Sequence, residues 1–279
     1  MTQAATIPDL TGGTESRSAF ARRVLPGIVS AGLFFAAWWT VTDGLELFSP
    51  IILPSPIEVG RSAISLATGS LFNGGLYQAN LFGHALLSLR RVFIGWLFAV
   101  GMAIPLGLLM GAVPTFWRYT GLSVRIFSQV PPIAFMPLAI VWFGLGELPI
   151  LFIIFIGTFW TMLNNVIAGV NAVPPILLRA ARSQGASGSQ IFVRVMLPAM
   201  FPYLFVGLRV SFGIAWVSIV AAELVASSSG LGYLIMHAMN LLASGDVIVG
   251  MGTIAIIGIA FDHFFRVVER KVCRWKMTD

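Results

Sequence analysis

Residues 176–198 read ILLRAARSQGASGSQIFVRVMLP, a polar island between two almost wholly apolar runs at about 149–171 and 201–224. Ile176 to Gln184 has the composition of a short helix, and Gly185 interrupts it. Ser187 to Val195 has helical composition again and ends at Leu197 and Pro198. Two short helices around a glycine form a knob on a membrane face, and the proline turns the chain into the next apolar run. Ala180 and Ala181 leave room for close helix packing.

Outward from this loop, the chain has the composition of a membrane protein. Hydrophobic residues are 57% of the 279 residues and charged ones 10%. A soluble domain carries about a quarter charged residues because its surface faces water. A bilayer-spanning helix needs roughly 20 mostly apolar residues, and six segments qualify: about 24–42, 92–113, 126–146, 149–171, 201–224 and 247–268. The third carries Pro131, Pro132 and Pro137 and is expected to be kinked or partly unwound. The long connection 43–91 is amphipathic from Ile57 to Leu66 and is expected along the outer surface. The N-terminal residues 1–23 form a polar tail, and 24–279 reads as one membrane domain with its core at about 84–271 and the loop at 173–200.

Basic residues set the orientation. With the N-terminus inside, thirteen lie on the inner side, among them Arg17, Arg22, Arg23, Arg118, Arg125, Arg179, Arg182, Arg194, Arg274 and Lys276; three, Arg61, Arg90 and Arg91, lie outside. Both termini are therefore expected in the cytoplasm, and the loop faces inward. The net charge of +6 is spread between spans, which fits a membrane and not nucleic acid. Cys273 has no second cysteine to pair with, and His84, His237 and His263 are too scattered to hold a metal.

The loop resembles the signature of ABC-importer permeases: Glu-Ala-Ala, three residues, Gly, nine residues, Ile-x-Leu-Pro. Here Arg179-Ala180-Ala181, Gly185 and Val195-Met196-Leu197-Pro198 stand at the same spacing, with Arg179 in place of the glutamate. Further likenesses are Leu53-Pro54-Ser55-Pro56, Ser88-Leu89-Arg90-Arg91-Val92, Val130-Pro131-Pro132-Ile133-Ala134 and Ala221-Ala222-Glu223-Leu224 with Gly230-Leu231-Gly232. Together they look most like the permeases for taurine, aliphatic sulfonates and nitrate. The resemblance implies an all-α membrane protein of six transmembrane helices, the type I ABC-importer permease fold, in the bacterial inner membrane. It makes Arg179, Ala180, Ala181, Gly185, Ala186, Ser187, Leu197 and Pro198 the coupling helix region that docks on the ATPase. It also implies as partners two ATPase subunits, which bind the ATP and Mg, a second permease copy and a periplasmic solute-binding protein. Lipid surrounds the bundle, and no cofactor is implied for this chain. Arg179 requires a docking surface of different charge from the family's usual one.

Polar residues inside spans either line a path or act as interhelical glue. Thr158, Thr161 and Asn165 share one helical face, as do Ser211 and Ser218, and Gln129 sits in the proline-rich span. These six are the candidate translocation path, whose neutral donors suit an oxyanion such as a sulfonate. Glu223 is expected to pair with Arg90, Arg91 or His84, since a carboxylate facing an anion's path would repel it. Asp262, His263 and Arg266 are expected to satisfy the end of the last span. An ion-coupled secondary transporter is the competing reading, but it needs inverted repeats and central carboxylates that the sequence lacks. A membrane enzyme would want clustered acidic and His residues, and an ATPase a Walker A loop, which is absent.

Overall fold

The computed structural model describes residues 12–45, 47–68 and 80–272, with side chains from residue 25 on, residue 28 excepted. The expectations for residues 1–11, the side chains of Arg17, Arg22 and Arg23, and Cys273, Arg274 and Lys276 lie outside the described residues. The chain divides into two units, Met1–Ser62 and Ala63–Asp279.

In the first unit, α1 (Gly12–Trp39) runs into a π turn, Thr40–Gly44. Trp38 Nε1 donates to the Pro54 carbonyl at 3.1 Å. At the start of α2 (Pro56–Thr68), Ser55 and Glu58 cap each other reciprocally: the Ser55 N–H reaches Glu58 Oε2 and the Glu58 N–H reaches Ser55 Oγ. Pro56, at the first helical position, needs no partner for a missing N–H. The Leu53–Pro56 element is thus a helix start, and the amphipathic helix expected at 57–66 is present.

In the second unit, three long helices form the core: α3 (Leu81–Ala112), α6 (Glu147–Asn171) and α9 (Leu197–Ala226). Glycines of α3 let α6 approach closely. A Cβ on Gly95 would lie 2.7 Å from Ile154, and one on Gly107 would lie 2.7 Å from Val166. Small residues at such contacts drive helix association where lipid gives no hydrophobic force between helices. α10 (Leu231–Asn240) and α11 (Ser244–Val272) follow. α11 is held to α9 by Trp216 Nε1 on the Ile254 carbonyl at 3.1 Å and by Arg209 with Glu269 at 3.2 Å. Its other side exposes Ile256 and Ile259, as a lipid-facing helix should.

Between α3 and α6, α4 (Pro114–Phe127) and α5 (Met136–Phe143, led in by a 3-10 turn, Pro132–Phe135) meet at 88°. Pro131 is extended and Pro132 has no N–H, so the helix cannot run through. Among the described residues five helical segments are long and apolar enough to span, and the bent pair makes six if it counts as one.

Boundaries differ from the sequence reading in three places. The third span, expected at 126–146, is the bent pair Pro114–Phe127 and Pro132–Phe143. α3 starts at Leu81, three turns before the expected 92, because His84, Ser88 and Arg91 are buried inside the bundle. Asn80 caps it, accepting from the Gly83 N–H at 2.7 Å. Pro198, expected to end a separate second helix, instead lies in the first turn of α9. α8 (Gly188–Ile191), a π turn (Phe192–Met196) and α9 form one continuous helical segment, Gly188–Ala226. Pro198 has no N–H to return to the preceding turn, and the π turn lies directly before it; Pro105 and Pro202 are carried inside α3 and α9.

Candidate functional site

Three constellations stand out. The first is the loop. α7 (Pro175–Ser183) exposes Arg179, Ala180 and Arg182 together with Ile176 and Leu177. It closes with paired bonds from the Gly185 N–H to the Arg182 carbonyl at 3.0 Å and from the Ala186 N–H to the Ala181 carbonyl at 3.1 Å. Gly185 takes φ +77°, a left-handed conformation that side chains with a Cβ rarely adopt. Ser187 then caps α8: its Oγ accepts from the Gln190 N–H, while Gln190 Oε1 accepts from the Ser187 N–H at 2.9 Å. Ala186 and Leu197 are half-buried and Pro198 is exposed. The loop is therefore a rigid two-helix knob presenting basic and apolar side chains together.

The second is a buried ionic cluster joining the start of α3 to the α9–α10 turn. Arg91 Nη1 reaches Glu223 Oε1 at 2.9 Å, and Ser88 Oγ donates to the same carboxylate at 2.9 Å. The Gly232 N–H donates to Glu223 Oε2 at 3.0 Å. Arg91 also reaches the Ser229 carbonyl and the hydroxyls of Ser227 and Ser229. The Leu231 N–H donates to Ser88 Oγ at 2.9 Å, and the Gly230 N–H donates to His84 Nδ1 at 3.0 Å. The turn wraps so tightly that a Cβ on Gly230 would strike the Glu223 carboxylate. Of the three partners expected for Glu223, Arg91 pairs with it directly and His84 holds the adjoining turn. Arg90 is exposed and lies 3.9 Å from Glu147. Buried charges are retained where hydrogen bonds satisfy them, and here the carboxylate has donors on every side. Ser88, Ser227 and Ser229 carried no role in the sequence reading, although Ser88 and Arg91 stand one helical turn apart.

The third is a recess of about 210 Å³ at the α4–α5 break, lined among others by Gln129, Pro132, Gly157, Trp160, Thr161 and Asn164. Of the six path candidates, Gln129 and Thr161 line it. Thr161 Oγ1 donates back to the Gly157 carbonyl at 2.8 Å, and Asn165 Nδ2 to the Thr161 carbonyl at 2.8 Å. Ser218 Oγ lies 2.9 Å from where a Cβ of Gly157 would stand. Thr158 is fully buried, and its hydroxyl has no partner among the described residues. Ser211 is fully buried and accepts from Trp96 Nε1 at 3.0 Å. Asn164, one of the polar residues within the spans, also lines the recess, and Trp160 joins it although the sequence reading gave it no place in the path. At the far end of α11, Arg266 pairs with Asp262 one turn away at 2.6 Å.

Known proteins share this architecture. Residues 103–274 match the family of binding-protein-dependent transport system inner membrane components. A putative ABC transporter permease of Methanocaldococcus jannaschii is 42% identical over 229 residues, covering 82% of this chain and 84% of that protein. The taurine transport system permease of Escherichia coli is 34% identical over 254 residues, covering 91% and 90%. The nitrate import permease of Synechocystis is 28% identical over 253 residues, covering 91% and 90%. The inward-facing methionine ABC transporter MetNI superposes with a TM-score of 0.59 at 20% identity over 66% of this chain and 92% of that chain, which shows a shared fold. ATP is handled in such importers by separate ATPase subunits, and the permease is non-catalytic. The loop spacing, the bundle and these relatives together place the chain in the family of ABC-importer inner membrane permeases, of the taurine, sulfonate and nitrate type.

Proposed function

We propose that this permease carries a small sulfonate, taurine or a close analogue, from a periplasmic binding protein into the cytoplasm. The observation that carries the reading is the 34% identity to the taurine permease along nine-tenths of both chains. The neutral lining of the α4–α5 recess supports it, since hydroxyl and amide groups let an anion enter and leave without the trap of a fixed cation. Nitrate is the second reading, favoured by the relative from Synechocystis.

The working assembly is two copies of this chain, two ATPase subunits and the binding protein, with both termini in the cytoplasm. Arg179, Ala180, Ala181, Gly185, Ala186, Ser187, Leu197 and Pro198 form the surface on which the ATPase docks. Closure of the ATPases moves the knob as a rigid body, and the bundle follows. Gln129 and Thr161 stand toward the path, Asn165 packs against Gly207 of α9, and Thr158, Ser211 and Ser218 back the path from the packed interior.

The test is uptake by proteoliposomes holding the complete transporter with its binding protein outside. ATP-dependent accumulation of labelled taurine, unaffected by excess nitrate, is the expected result. Accumulation of nitrate alone would replace the first reading by the second.

A further inference from the structure

We propose that the knob fits an acidic cleft: the ATPase groove that receives α7 offers carboxylates to Arg179 and Arg182 and an apolar floor to Ile176. The proposal deepens the docking reading above and rests on it. Ile176, Arg179 and Arg182 stand three residues apart along α7, so they form one ridge on its surface. Ile176 is 63% exposed, and both arginines are exposed. The π turn Phe192–Met196 packs against α7 and carries a third exposed arginine, Arg194.

Nothing in the knob answers this charge. No Asp or Glu occurs from residue 148 to residue 222, and none of the three arginines forms an ion pair among the described residues. Arg209 and Arg266, by contrast, find carboxylates within the chain, in Glu269 and Asp262. A guanidinium fork matches a carboxylate with two parallel N–H donors, and a rigid helix presents such forks at little ordering cost. Ile176 beside them supplies an apolar anchor, and a ridge of mixed arginine and apolar side chains fits a protein cleft. An anionic lipid layer attracts the same charge, but it requires neither the left-handed turn at Gly185 nor the capping box at Ser187 that fix the ridge. The charge also selects among partners. A basic cleft, suited to a loop with glutamate at the position of Arg179, repels this knob.

The experiment uses the complete transporter, purified through a tag on the permease and held in nanodiscs of phosphatidylcholine with phosphatidylglycerol. Arg179→Lys and Arg182→Lys keep the charge and put an amine in a loop that has no lysine. A water-soluble carbodiimide then joins that amine to a carboxylate in direct contact, as an amide. The expected product is a link from position 179 or 182 to an Asp or Glu of the ATPase, read by peptide mass. Absence of such a link while the ATPase stays bound overturns the proposal. Arg179→Glu combined with Arg182→Glu should hold the ATPase about tenfold less well, and added salt should relieve part of the loss. The detergent melting temperature of the permease should not move, because both side chains are exposed. Thiol protection of Ser187→Cys reads docking separately. An ATPase that protects Ser187→Cys yet ignores the charge reversal overturns the acidic cleft alone, whereas one that leaves Ser187→Cys open overturns the docking reading with it. A wild type that loses stimulated hydrolysis in phosphatidylcholine alone, with the reversed pair still holding its ATPase, assigns the arginines to lipid and also overturns the proposal.

Discussion

Arg91 Nη1 and Glu223 Oε1 meet at 2.9 Å, across 132 residues of sequence, with the two side chains 7% and 0% exposed. Arg91 is the charged partner of Glu223, while Arg91 Nη2 also lies 3.6 Å from Oε1 of the half-exposed Glu147. Removing Arg91 leaves Glu223 without a countercharge in a dry site, which costs about 3–5 kcal/mol; removing Glu223 leaves Arg91 with Glu147 and costs less. Arg91→Leu should lower the detergent melting temperature sharply, and Glu223→Leu should lower it less. The double variant should lose much less than the sum, because it leaves no orphaned charge. A strictly additive double-mutant cycle would mean the two do not interact.

Gly185 should be replaceable only by residues that accept positive φ. Gly185→Val forces a β-branched side chain to φ +77°, at a cost of about 1–3 kcal/mol to the turn. Stimulated ATP hydrolysis and transport should fall while the permease still inserts. Gly185→Asn should keep most of both, since asparagine visits this conformation. There is open space where the Cβ would go, so a steric clash within the chain does not explain such a loss. Normal coupling in Gly185→Val would remove the docking role from this turn.

Leu242 is the one described residue other than glycine with positive φ, at +57° in the turn after α10. Its side chain is two-thirds exposed, so little burial is at stake. Leu242→Gly relieves a left-handed strain of about 1–2 kcal/mol. The melting temperature should rise by a few degrees, with transport unchanged; a fall would show that the leucine contributes packing worth more than the strain.

Orientation can be read with an impermeant thiol reagent in a Cys273→Ser background. Leu145→Cys, exposed in the α5–α6 turn, should label from outside intact cells. Ser187→Cys, exposed in the loop, should label only after lysis. Ser55, though it lies on the expected outer side, is a poor reporter because it is buried and bonded to Glu58. Outside labelling at Ser187 would invert the topology and move the knob away from the ATPase.

Spans and loop were legible because hydropathy and the glycine–proline spacing are local signals. The proline break was legible for the same reason, since Pro131 and Pro132 forbid a continuous helix wherever they fall. The true start of α3 was not: Arg90 and Arg91 end the apolar window, and only the distant Glu223 shows that Arg91 belongs inside. The recess was half legible. Thr161 and Gln129 announce themselves as polar residues in apolar runs, whereas Trp160 reads as one more hydrophobic residue. Its place in the recess becomes visible only once its neighbours are placed.

The unbroken run from Gly188 to Ala226 changes what the loop can be mechanically. Its 39 residues extend about 58 Å at 1.5 Å each, nearly twice the roughly 30 Å hydrocarbon core. Half the knob is thus no hinged attachment but the near end of a lever whose far end carries Glu223. If the knob docks as proposed, a push at Ser187 reaches the Arg91 clamp along this one helical run. The run's regular α-helical bonding is interrupted at the π turn, Phe192–Met196, and lacks a donor at Pro202, the two places where it would give first.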